Sequence, residues 1–100
     1  MAKTEAEKYL MENVVSPGHT TRVDKAKFDA MKTAVLAVLP NAAPGITPAD
    51  LRQRIAPILS QDHFPDGEKA GWWMKGVQLD LEAKGIIARG SKKPVMLYRL

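Results

Sequence analysis

Two histidines, His19 and His63, are the side chains of this 100-residue sequence whose ordinary titration range suits acid–base work near neutral pH, and they stand far apart in the chain. His63 lies in Asp62-His63-Phe64-Pro65-Asp66, which has neither the helical spacing of paired metal ligands nor a second histidine nearby. A loop histidine solvated beside two aspartates is the plainer reading. Gly67-Glu68-Lys69-Ala70-Gly71 lacks both the Gly-Lys-Ser/Thr ending and the preceding strand of a phosphate loop. With no cysteine there is no thiol nucleophile, disulfide framework or cysteine zinc site. These residues point away from catalysis, so the chain is expected not to be an enzyme and to use no metal or cofactor.

The chemistry it is equipped for is electrostatic. The formal net charge is +4, and it is unevenly placed. Residues 1–23 carry three basic and three acidic side chains, residues 24–66 five of each, and residues 67–100 seven basic against three acidic. Seven residues in that last third are candidates for a nucleic-acid contact: Lys69, Trp72 and Lys75 in one stretch, and Arg89, Lys92, Lys93 and Arg99 in another. Lysine and arginine meet phosphates, and an exposed tryptophan stacks or wedges against a base or against a partner's apolar surface. Each candidate has a plainer alternative. Trp72 and Trp73 both suit a core, and a basic hairpin tip can simply be solvated or discourage pairing with other chains. Only Gln78 adds a base-reading side chain to the face that carries Lys69, Trp72, Lys75, Gly76 and Leu79, so sequence-specific recognition has little to work with.

The elements that must position these residues are readable in part. One hundred residues with 45% hydrophobic content suffice for one modest core. No apolar run reaches spanning length, and the mixed charges of residues 1–15 are unlike a signal peptide, so a soluble cytoplasmic protein is expected. Residues 1–15 suit a short amphipathic helix, ended by Ser16-Pro17-Gly18 and followed by an extended connector to Val23. Such an arm can pack on the domain, exchange between subunits to make a homodimer, or stay disordered. Asp24 is placed as the N-cap of a first helix whose stripe is Phe28, Met31, Val35, Leu36, Val38 and Leu39, stopped by Pro40.

Ile46 suits a single short strand. Thr47-Pro48-Ala49-Asp50 then combines a capping hydroxyl, a proline at the first helical position and an acid in the first turn, with Ile46 and Leu51 spaced as a hydrophobic staple. The second helix should bury Leu51, Ile55, Ile58 and Leu59, with Pro57 kinking or ending it near Ala56. Phe64 should tuck under the loop 60–67. A third helix from about Glu68 places Trp73, Val77 and Leu81 on one face, and its Gly71 and Gly76, each about 1 kcal/mol worse than alanine, imply close packing of a neighbour. Lys84-Gly85 ends it. Residues 86–89, a tip at 90–94 and residues 95–100 then suit a hairpin with Met96, Tyr98 and Leu100 inward and Arg99 outward.

The run Leu81-Glu82-Ala83-Lys84-Gly85-Ile86-Ile87-Ala88-Arg89, with its Tyr98-Arg99-Leu100 return strand, resembles the recognition helix and wing of a winged helix-turn-helix domain, as in many small bacterial regulators and other small bacterial proteins. The resemblance implies an α+β fold: a three-helix core plus wing over residues 24–100, in the order helix, short strand, helix, helix, strand, strand, preceded by an N-terminal arm at residues 1–23. It further implies binding of duplex DNA, as in a transcriptional regulator. Loop 60–67 departs from the family's three- or four-residue turn. The rival expectation is a non-enzymatic protein-interaction module that docks through Trp72, Leu79 and the apolar arm.

Overall fold

Asp24 ends one element and begins another, because its carboxylate accepts from the Ala26 and Lys27 amides at 2.9 and 3.2 Å and so starts helix α1, Lys25–Val38. The computed structural model describes residues 8–16, 18–67, 69–90 and 93–100; residues 1–7 of the arm, Glu68, and Lys92 among the candidate cations lie outside these. Three helices and two small antiparallel hairpins make an α+β domain.

The first hairpin replaces the short helix expected near the N-terminus. Strand β1, Lys8–Met11, pairs antiparallel with β2, Thr21–Asp24, from Lys8↔Asp24 to Met11↔Thr21. Tyr9 stacks on Phe28 with ring centroids 4.1 Å apart, and Met11 is buried against Gly76, while Leu10 between them points to solvent. That alternation has the strand period, and tertiary burial of its two inward residues outweighs the helix propensity of the segment.

Helix α1 buries Phe28, Met31, Ala34 and Val35, and ends where the Leu39 amide returns to the Val35 carbonyl just before Pro40. Ile46 makes one antiparallel bridge to Leu97, with N–H···O distances of 2.9 and 2.7 Å. Gly45 beside it has φ of +88°, and a Cβ there would lie 2.1 Å from the Leu97 carbonyl oxygen, so the bridge requires glycine. Helix α2, Pro48–Ile55, opens as its sequence indicates, with the Thr47 hydroxyl accepting from the Asp50 amide at 3.1 Å. Pro57 ends it at Ile55 in a single tight turn, Ala56–Ile58. That turn swings Ile58 to the surface, at 51% exposure, so Ile58 does not continue the buried face as its spacing suggested, whereas Leu59 does.

Helix α3, Ala70–Ala83, packs on α1 and buries Trp73, Val77 and Leu81. Its glycines are explained by neighbours: a Cβ at Gly71 would meet the Arg52 guanidinium at 2.6 Å, and one at Gly76 the Met11 methyl at 2.7 Å. Strands β3, Ile87–Arg89, and β4, Leu97–Arg99, form the second hairpin. Its phase is the reverse of the expected one. Leu97 is fully buried and Leu100 is 73% exposed, because the bridge to Ile46 and the register Arg89↔Leu97 turn the odd-numbered residues of β4 inward. Among the described residues no helix is long and apolar enough to cross a membrane.

Candidate functional site

The first turns of α3 carry one cluster of the candidate residues. Lys69 precedes the helix in a left-handed conformation, φ 57°, and Lys69, Trp72 and Lys75 follow at intervals of three, all exposed. The two neighbouring tryptophans divide between core and surface. Trp73 is 8% exposed and stands edge-on to Phe64, whose ring is fully buried beneath the loop, at 6.0 Å. Trp72 is 55% exposed and stands edge-on to Trp73, at 5.2 Å and 82°. The outer ring is therefore braced by a buried one. Across from it lie Asp24 and Lys27 of the β2–α1 junction, which complete a groove with Lys69, Trp72 and Trp73. Among the described residues no carboxylate forms an ion pair with Lys27, Lys69 or Lys75.

The second hairpin carries the other cluster, in a less open state. Arg89 is held by Glu82 through two parallel bonds, Nε to Oε1 at 2.5 Å and an Nη to Oε2 at 2.9 Å, and that hydrogen bonding raises its pKa further above the guanidinium range. Glu82 also accepts from the Gln78 amide at 3.0 Å. Lys93 is exposed, and with Arg89, Met96 and Tyr98 it faces Ala43 and Pro44 across a second groove. Arg99 does not turn outward as the alternation suggested. It shares the inner side of β4 with Leu97, its amide donates to the Pro40 carbonyl at 2.7 Å, and its Nε is buried without a partner among the described residues.

The middle of α3 is closed. Gln78 and Leu79, expected on the outer face with Lys75, are both buried, at 2% and 9% exposure. Gln78 lies towards the second hairpin, where it donates to the Glu82 carboxylate that holds Arg89; the first hairpin docks about half a turn away, on Gly76 and on a residue the sequence did not mark out. Asp80 has no exposure. It accepts from the Tyr9 hydroxyl at 3.0 Å, the Glu12 amide at 2.8 Å and the Lys84 ammonium at 2.7 Å, and Lys84 also donates to the Tyr9 hydroxyl. Burial lifts the Asp80 carboxyl above its ordinary range, with the Glu12 amide and the Lys32 charge drawing it partly back, and burial likewise lowers Lys84. The one available signal was an acid set among Val77, Leu79 and Leu81.

Chemically, these surfaces offer cations and π-faces. The His63 Nδ1 lies 3.0 Å from the Ser60 hydroxyl, and among the described residues no three metal-ligating side chains converge. Lys69 and Lys84 are fifteen residues apart, about 22 Å along the helix axis, so the groove at Trp72 and the second hairpin flank opposite ends of α3.

Neither the curated proteins nor the solved structures contain a match to this chain. Residues 8–97, from the first strand to the buried leucine of the last one, match DUF6958, a family of unknown function, and the chain belongs to that family.

Proposed function

We propose that this chain is a winged-helix protein that binds nucleic acid, duplex DNA above all, through the first half of α3 and the second hairpin. The order α1, Ile46, α2, α3, β3, β4, with Ile46 paired to β4, is the order that the winged-helix resemblance implies. The observation that carries the reading is the selective exposure of α3: Lys69, Trp72 and Lys75 face solvent while residues 77–81 are buried. In helix-turn-helix proteins it is the N-terminal part of the recognition helix that reaches the bases. Lys93 on the second hairpin adds a cation at the other end of the helix, as a wing does.

Burial of Gln78 removes the one base-edge reader from that face, and Arg89 is already neutralised by Glu82. Binding is therefore dominated by phosphate contacts and tolerant of sequence, with the eleven residues 59–69 before α3 setting a docking angle unlike that of the three- to four-residue turn. In a regulatory setting such a protein acts by occupancy more than by reading a long operator.

Titration of a random-sequence duplex at several salt concentrations tests this. Affinity should fall with a log-log slope of about −0.9 per phosphate contact, and replacing Lys69, Lys75 and Lys93 together by alanine should flatten that slope by up to about three contacts' worth. Absence of salt-sensitive binding at low ionic strength overturns the proposal and leaves the protein-docking role for the exposed Trp72 ring, since aromatic anchors dominate such interfaces.

A further inference from the structure

The groove at the start of α3 has features that phosphate binding alone does not call for. It is walled by the exposed Trp72 ring and by Trp73, has room of about 570 Å³, and is lined as well by Lys27, Lys69 and Asp24. That volume falls within the range of small-ligand pockets. The Trp72 ring is held against Trp73 at 82°, so its free face is presented before any ligand arrives. Asp24 uses one oxygen to cap α1 through the Ala26 and Lys27 amides, and its other oxygen takes no hydrogen bond from a described residue.

We infer that this groove takes a single unstacked nucleobase together with its phosphate, which makes the preferred ligand a duplex that carries an unpaired base. This rests on the nucleic-acid reading above and adds the ligand class to it. A base inside a duplex has both faces covered by its neighbours and cannot stack on a side chain, whereas a bulged or single-stranded base offers a free π-face and has little unstacking left to do. Lys27 and Lys69 match the adjoining phosphate in charge, and the free oxygen of Asp24 matches a base N–H as acceptor. The alternative occupant, an apolar protein segment, leaves two lysines and a carboxylate without partners in the contact, which disfavours it.

The experiment compares a fluorescein-labelled random duplex of 16 base pairs with the same duplex carrying one bulged adenine, by anisotropy, for the wild-type chain and for Trp72→Ala and Trp72→Phe. Stacking on one aromatic ring corresponds to about 5- to 100-fold in affinity. The wild type should favour the bulged duplex by on the order of tenfold, Trp72→Ala should bring the ratio of the two affinities to one, and Trp72→Phe should keep most of it. A wild-type ratio of one overturns the inference. So does a Trp72→Ala variant that weakens both duplexes equally and leaves the ratio intact, since the ring is then a general contact. Salt-sensitive binding of the paired duplex in either of those cases leaves the broader reading standing; loss of binding to both duplexes by a wild-type chain removes both together. Thermal melts of the two variants establish that each ratio belongs to a folded protein.

Discussion

The two hairpins are fastened to the same three helices by different kinds of bond. The second is knitted in mainly by its backbone, with the Arg89–Glu82 pair beside it: Ile46 and Leu97 exchange both amide bonds, and Arg99 donates to the Pro40 carbonyl. The first is held by side chains, with the Tyr9 ring on Phe28, Met11 on Gly76, and a polar knot of Tyr9, the Glu12 amide, Lys84 and Asp80. Backbone pairing tolerates changes of residue type but not of backbone shape. A buried polar knot behaves in the opposite way, since the loss of one partner leaves the others unsatisfied in a place that water does not readily reach.

The sharpest way to break the contrast is at Gly45. A valine there meets the Leu97 backbone and needs a positive φ that β-branched residues avoid, so Gly45→Val should lower stability by more than about 3 kcal/mol, the largest single effect expected outside the core. Urea unfolding measures it. A variant that unfolds at the wild-type midpoint would show that the bridge between Ile46 and Leu97 contributes nothing, and the two hairpins would no longer differ in the way described.

Asp80→Ala tests the other side. It strands the Tyr9 hydroxyl and the Glu12 amide, for a loss of about 2 kcal/mol after the relief of burying a carboxylate is counted. The more telling readout is local. Amide hydrogen exchange should accelerate across residues 8–24 while the amides of Ile46, Leu97 and Arg99 keep their protection. Equal loss at both hairpins would mean that they open as one unit.

How much of this was legible in the sequence follows the same division. Signals that act within a few residues were readable: Asp24 and Thr47 as caps, Pro48 opening α2 and Pro57 ending it, and Phe64 under its loop. The single bridge of Ile46 to the last strand was legible with them, being the short strand expected there. For the exposed triplet, spacing settles only Lys75, since Lys69 stands four residues before Trp73 and Trp72 suits a core as well as a surface, so the exposure of those two was not legible. The phase of β4 was not, since Val95, Met96, Leu97 and Tyr98 are all apolar enough to face inward and only the bridge to Ile46 chooses among them. The burial of Gln78 and Leu79 was equally hidden. So was the seat of the first hairpin, which docks from the far end of the chain through a Tyr9–Asp80 bond that spans 71 positions. Lys27 and Asp24 joined the candidate groove by the same kind of long-range contact.

The smallest effect expected is a pH dependence, and it identifies what kind of knot Asp80 makes. Burial raises the Asp80 carboxyl above its ordinary value of 3.8, more than the Glu12 amide and the Lys32 charge lower it. The folded chain therefore keeps this proton at pH values where the unfolded chain has already released it. Its contribution to stability is full below the ordinary carboxylate value and is lost as pH rises through the higher folded value. Lys84, lowered by burial, acts only at the alkaline end and does not enter this window. Comparison with Asp80→Asn isolates the group, because every other titration is common to the two proteins. Urea unfolding from pH 4 to pH 7 should show the wild type losing stability relative to the variant as pH rises, by no more than about 1.4 kcal/mol per pH unit for one proton. The opposite slope, with the wild type gaining on the variant, would mean that attraction to Lys84 outweighs burial and that an ion pair holds the first hairpin. In that case 0.5 M salt should loosen the first hairpin, read as faster amide exchange across residues 8–24.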